Sequence, residues 1–170
     1  MKRAIPWVLA TIVLGVALHV ALIFTLPHLV MMRVMERLGA VNTIHHTARV
    51  DAASRAIVRP SPDLLYSDCP YDLSHGPLRV TAPVPAGTYW SVSAFDSQTN
   101  NFFVLDDREA KGAVDFVLAA KPMKAGALQV IVSPTEHGVL LFRTLIDDDA
   151  HFVTLNAARL RARCTRFTRG

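Results

Sequence analysis

From Ala4 to Leu26 the chain carries no charged residue, and no other feature limits its fold so severely. At about 1.5 Å per helical residue, a run of that length crosses the roughly 30 Å hydrocarbon core of a bilayer. Leu, Ile, Val or Phe fills thirteen of these positions, which at roughly 0.3 to 0.6 kcal/mol each favours insertion by about 4 to 8 kcal/mol. Thr11 and His19 reduce that sum without reversing it. The run exceeds the usual apolar core of a secretory signal, about 7 to 15 residues, and no small-x-small cleavage pattern follows it. The expectation is an uncleaved transmembrane anchor over residues 1–27. Lys2 and Arg3 precede the span, and Arg33 and Arg37, offset by Glu36, follow it. The short basic flank and the cysteines beyond place the amino terminus in the cytoplasm, with the carboxyl-terminal domain on the outer side of the membrane.

Residues 28–57 read as a juxtamembrane helix and linker. The stretch from His28 alternates apolar positions with Arg33, Glu36 and Arg37, and Gly39 supplies a stop. Methionines at 31, 32 and 35 make an adaptable apolar face, suited to the membrane surface or to a partner helix. Residues 58–170 then change period from helical to alternating, with Pro and Gly punctuating runs of Val, Leu, Tyr and Phe. Strands are expected near 64–67, 78–82, 89–96, 102–106, 114–118, 128–133 and 139–146, with a hairpin loop at DSQTNN. The segment from Asp147 to Cys164 returns to helical spacing, with acids in its first turn and arginines in its last. The fold expected is mainly β, an antiparallel β-sandwich or jelly-roll-like domain with a C-terminal helix, preceded by one transmembrane helix.

The net charge of +4 comes largely from arginines in the last dozen residues. With only Phe167 among them, they lack the interleaved aromatics of a nucleic-acid surface, so nucleic acid is not an expected partner. Cys69 and Cys164 are the only cysteines and have no metal-ligand spacing. A disulfide between them and two buried free thiols are both open readings.

The densest polar grouping is Arg59, Asp63, Tyr66, Asp68 and Asp72. Paired carboxylates beside an arginine can perform acid-base chemistry or grip a polar ligand; the same residues can equally cap turns and lock a loop. Tyr89 and Trp90 beside Asn100 could form a sugar platform, although one of two adjacent strand residues must face inward. The candidate ligand residues are therefore Arg59, Asp63, Tyr66, Asp72, Trp90 and Asn100. No G-x-S-x-G or S-x-x-K signature is present, the histidines are scattered, and neither metal nor cofactor is expected. Asp147 to Asp149 read as a helix cap rather than a calcium loop.

The segments Arg59-Pro60-Ser61-Pro62-Asp63-Leu64-Leu65-Tyr66-Ser67, Asp72-Leu73-Ser74-His75-Gly76-Pro77, Gly87-Thr88-Tyr89-Trp90-Ser91, and Asp96 with Thr99-Asn100-Asn101 together resemble the family called domain of unknown function 1254. Its pattern is close to R-P-N-x-D-T-L-Y-S, D-L-x-x-G-P, G-R-Y-x-S and D-x-x-T-N-N. This chain departs at Ser61, Leu64 and Thr88, where Asn, Thr and Arg are usual. The resemblance carries no catalytic residues. It implies a companion protein bearing the second module found in larger relatives, domain of unknown function 1214. The expected function is a binding or assembly module in the cell envelope, contacting that companion or a cell-wall or envelope ligand. A small membrane-tethered hydrolase-like enzyme using Asp63 and Asp72 is the alternative.

Overall fold

The computed structural model describes residues 4–51, 54, 60–110 and 112–168. Its first element is helix α1 (Ile5–Leu38), with a proline in the first turn, where a missing N–H has no partner to lose. The helix stops at Gly39, whose φ of 87° suits glycine and whose N–H closes on the Met35 carbonyl at 3.1 Å. Thr11 and Thr25 return their hydroxyls to the carbonyls of Trp7 and Ala21, both at 2.9 Å, so neither carries an unpaired donor. Trp7, Leu14 and Phe24 are bare at 77%, 71% and 74% exposure. A helix apolar around its whole circumference suits lipid rather than water, and α1 is long and apolar enough to cross a membrane.

The stretch after Pro27 is a continuation of the same helix. Pro27 removes one backbone donor, and α1 runs on to Leu38. Met31 is buried and Val34, Met35 and Leu38 are half-buried, at helical spacing, where the end of α1 meets the β domain. Met31 and Met35 of the methionine face therefore turn toward the chain's own β domain, while Met32 stays exposed.

Among the described residues nine strands follow: β1 (His45–His46), β2 (Leu64–Asp72), β3 (Leu78–Pro83), β4 (Trp90–Asp96), β5 (Asn101–Asp106), β6 (Ala113–Ala119), β7 (Gln129–Val132), β8 (His137–Leu145) and β9 (Arg163–Arg166). They form a five-stranded sheet in the order β1-β2-β8-β4-β5 and a four-stranded sheet in the order β7-β6-β3-β9. Neighbours are antiparallel except β6 and β7, which run parallel. The end of α1 touches β2 and β8. Pro70 sits inside β2 without breaking it. Its carbonyl accepts the Asn42 N–H at 2.7 Å, so its nitrogen faces the same side, beyond the end of β1, and no ladder bond to β8 is lost.

Alternation sets the core. Cys69 and Tyr71 from β2, Trp90, Val92 and Ala94 from β4, and Leu140 and Phe142 from β8 meet Leu78, Val80, Val114, Phe116 and Leu118 of the second sheet in one buried cluster. This is a β-sandwich. Cys69 and Cys164 are joined in a disulfide with Cα atoms 6.6 Å apart, linking β2 of one sheet to β9 of the other. Closing a loop of 95 residues stabilises by about 4 to 5 kcal/mol in the chain-entropy model.

The C-terminal helix is shorter than expected. Asp148 caps a 3-10 turn (Asp149–His151) by accepting the Ala150 N–H at 2.9 Å, and α2 (Phe152–Arg159) follows. The chain then turns into β9, where Ala162 and Cys164 are buried and Arg163 and Thr165 exposed. That alternation, the bond to Cys69 and the open edge of β3 outweigh helical spacing over the last residues. The sheet likewise begins at His45, within the stretch assigned to a linker.

Candidate functional site: an open cleft at one end of the sandwich

The connection from β3 to β4 reads Val84-Pro85-Ala86-Gly87-Thr88-Tyr89, and Gly87 takes the positive φ of 80° that its turn needs. It is tied down from both sides. Val84 donates to the Gly112 carbonyl at 2.9 Å, the Thr88 hydroxyl to the Leu145 carbonyl at 2.8 Å, and Leu145 N–H to the Tyr89 carbonyl at 2.9 Å. The connection from β5 to β6 is held against β4, because Asp107 takes the Trp90 N–H on its carboxylate at 3.2 Å and donates its own N–H to the Trp90 carbonyl at 3.0 Å. Between these loops and the end of β8 lies a cleft of about 580 Å³, lined among others by Thr88, Tyr89, Asp107, Arg108, Leu145 and Asp147.

Its electrostatics are mixed. Asp147 is held below the ordinary carboxylate range, chiefly by its hydrogen bond with His151, whose Nδ1 lies 3.1 Å away. Asp107 is engaged with the backbone of Trp90. The Arg108 side chain is exposed and has no partner among the described residues. Tyr89 is 41% exposed, and its hydroxyl donates to Ser91 Oγ at 2.8 Å. An apolar floor with a few directed polar groups is the construction of a ligand-binding surface.

The residues singled out from the sequence are distributed along the domain. Arg59 lies outside the described residues. Asp63 is exposed beside the cleft end, its carbonyl accepting the Ile146 N–H at 2.8 Å. Tyr66 accepts the Ser61 N–H on its hydroxyl at 2.9 Å. Asp72 is at the opposite end of β2, roughly 30 Å from Asp63 at about 3.3 Å per residue, so the two carboxylates do not form a pair. Its carboxylate accepts the N–H and hydroxyl of Ser74 at 2.9 and 2.6 Å and lies 3.4 Å from His137. The Ser74 hydroxyl, then its N–H, holds the Asp72 pKa below the usual value. Trp90 is buried in the core against Phe142, ring centres 6.4 Å apart. Asn100 braces the hairpin loop, giving its N–H and side-chain amide to Asp96 at 2.9 and 3.0 Å.

Asp107, Arg108, Thr88 and Asp147 thus line the cleft without having been proposed as ligand residues. The signal for them was the Pro-Ala-Gly turn before Tyr89, which reads as a loop but not as a wall. Among the described residues no group of three His, Cys, Asp or Glu side chains is placed to hold a metal ion.

The family model for proteins of unknown function designated DUF1254 matches residues 41–166. The chain belongs to the DUF1254 family. Among solved structures, this DUF1254 chain is similar to the VPA0106 protein from Vibrio parahaemolyticus, with a TM-score of 0.64 at 15% identity over 86% of this chain and 37% of that one. The likeness is one of fold, and the DUF1254 chain spans little more than a third of that protein's length. An uncharacterised protein from Burkholderia cenocepacia gives a TM-score of 0.48 at 18% identity, over 62% of this chain and 32% of that one. Among curated proteins none matches.

Proposed function

We propose that this DUF1254 chain is a membrane-tethered binding module of the bacterial cell envelope, using the cleft at the Thr88 end to engage a companion protein. The cleft is the observation that carries the reading: it is held open by cross-bonded loops, and its acids are committed to neighbours rather than poised as a reactive pair. The bare apolar surface of α1 supports the tether. The disulfide supports an oxidising compartment and so an outward-facing domain, with the amino terminus in the cytoplasm. The VPA0106 protein, in which the matched part is 37% of the chain, supports a companion bearing a further module, of the unknown-function 1214 type. A cell-wall or envelope ligand in the same cleft is the other occupant the reading admits.

Photo-crosslinking in intact membranes tests this. A photoreactive residue in place of Arg108, at the cleft, is expected to capture a discrete partner identifiable by mass spectrometry, while one in place of Gln98, at the opposite end, captures none. Equal capture at both positions, or none at the cleft, overturns the reading.

A further inference from the structure

Six of the chain's 14 acids lie on two short segments that meet at the cleft: Asp106, Asp107 and Glu109 where β5 ends, and Asp147, Asp148 and Asp149 after β8. The chain as a whole carries a net charge of +4, so its sign is reversed locally at this end of the domain. Among the described residues little offsets these acids. Arg108 stands exposed without a partner, and Arg49 is consumed by Asp149 at 2.7 Å.

Tyr89 stands between the two segments, because β4, which it precedes, lies between β8 and β5 in the sheet. Its carbonyl accepts the N–H of Leu145, two residues before Asp147, at 2.9 Å. The N–H of the next residue, Trp90, reaches Asp107 Oδ1 at 3.2 Å. Tyr89, Asp107 and Asp147 all line the cleft, so one ring is flanked by two carboxylates. The Tyr89 hydroxyl is spent on the buried Ser91 Oγ, and the 41% of the residue that remains exposed is therefore mainly ring. Asp107 Oδ2 has no partner among the described residues. Asp147 is 37% exposed, and its bond with His151 holds it below the ordinary carboxylate range, so it is an anion at neutral pH. An aromatic face between two carboxylates is the recognition chemistry of a cation. A neutral occupant would leave both charges uncompensated, and an anionic one would be repelled.

We propose that the cleft takes an arginine or lysine side chain from a basic segment of the companion, its cation laid on the Tyr89 ring and bonded to Asp107 and Asp147. The proposal rests on the reading of the cleft as a partner site and names the chemistry of what enters it. Asp106, Glu109 and Asp148 on the same two segments draw a basic chain in from a distance, an attraction that salt screens. Arg108 is the opposing charge, and it weakens the attraction without cancelling it.

The test uses the full chain in neutral maltoside micelles near neutral pH and at low salt. Fluorescence anisotropy follows three labelled octapeptides, capped at both ends, in which glycine alternates with arginine, glutamine or glutamate. The arginine peptide is expected to bind saturably, about 10-fold or more tighter than the glutamine peptide, and to lose that advantage in about 0.5 M salt. The Asp107→Asn, Asp147→Asn double variant, whose amides still accept the bonds that the protein itself supplies, should weaken it about 10-fold, and Tyr89→Leu about 3- to 10-fold. Arg108→Glu should tighten it about 3-fold or more, a gain that misfolding could not produce, while Glu136→Gln at the opposite end should leave it unchanged. Equal binding of the arginine and glutamine peptides, a preference for the glutamate peptide, or cleft variants that bind as the wild type does overturns the proposal. Should a discrete partner still be captured at position 108, such a result removes the basic occupant and leaves the binding module standing; absence of capture there removes both.

Discussion

The two ends of the sandwich are made from the same turn-forming residues and use them in opposite ways. At the Asp72 end, Asp96 takes the N–H groups of Gln98 and Asn100 on one oxygen and the Asn100 amide on the other, Asp72 is closed on Ser74, and Asn42 bonds Asp72 through both its backbone groups. Tyr71 is fully buried there, bonded to the Phe95 carbonyl at 3.1 Å and to Ser133 at 2.9 Å, and burial pushes its phenol up to about 12. At the Thr88 end the backbone is tied as firmly, but Tyr89 and Arg108 face an open cleft. Aspartate, asparagine and glycine do not by themselves distinguish a turn from a site. What differs is whether their polar groups are saturated locally.

The contrast can be broken at several points. Losing the disulfide has the largest expected effect, because it holds the two sheets together whichever end is considered: Cys164→Ala should lower unfolding stability by about 4 kcal/mol in urea denaturation, and a loss below about 1 kcal/mol would show the hydrophobic core alone to be sufficient. Next comes Gly138→Ala at the closed end. A Cβ there would sit 2.1 Å from the Phe95 carbonyl oxygen and 2.3 Å from the Tyr71 hydroxyl, so about 3 kcal/mol should be lost, and an unchanged midpoint would mean that this end has slack.

Asp68 sharpens the contrast, since it lies between the ends with one oxygen that has no partner among the described residues. Burial pushes its carboxyl up from 3.8 to about 6, with His45 opposing. The folded state thus holds this proton more tightly than the unfolded state, and the associated stability is full below about pH 4 and lost as the pH rises through 6. Asp68→Asn should flatten stability between pH 4 and 6 and raise it at pH 7 by on the order of 1 to 3 kcal/mol; parallel pH profiles for both proteins would contradict this. The smallest effect is expected at the open end, where Arg108→Gln should change stability by less than about 0.5 kcal/mol. A larger loss in chemical denaturation would show that Arg108 supports the fold.

Much of the fold was legible because alternation is a local signal. Five of the seven expected strands recur with closely similar limits, and the disulfide pairs the only cysteines present. The strand at Arg163 was not legible: Ala158, Ala162 and the intervening arginines satisfy a helical period as well as an alternating one, and only the free edge of β3 decides between them. The two-residue strand at His45 is too short for any periodicity to show. For the site, each acidic residue could be assigned a role in its own turn, whereas a cleft wall requires two connections distant in sequence to meet.

The sequence by itself determined a long helix apolar on every side, a β domain and the residue pair able to form a staple, because hydrophobic period and cysteine count are properties of neighbours along the chain. Only the tertiary structure decided that Asp63 and Asp72 stand at opposite ends and that Met31 is buried where the end of α1 meets the chain's own β domain. Those outcomes depend on register between strands separated by tens of residues, and register follows from the packing of both sheets at once.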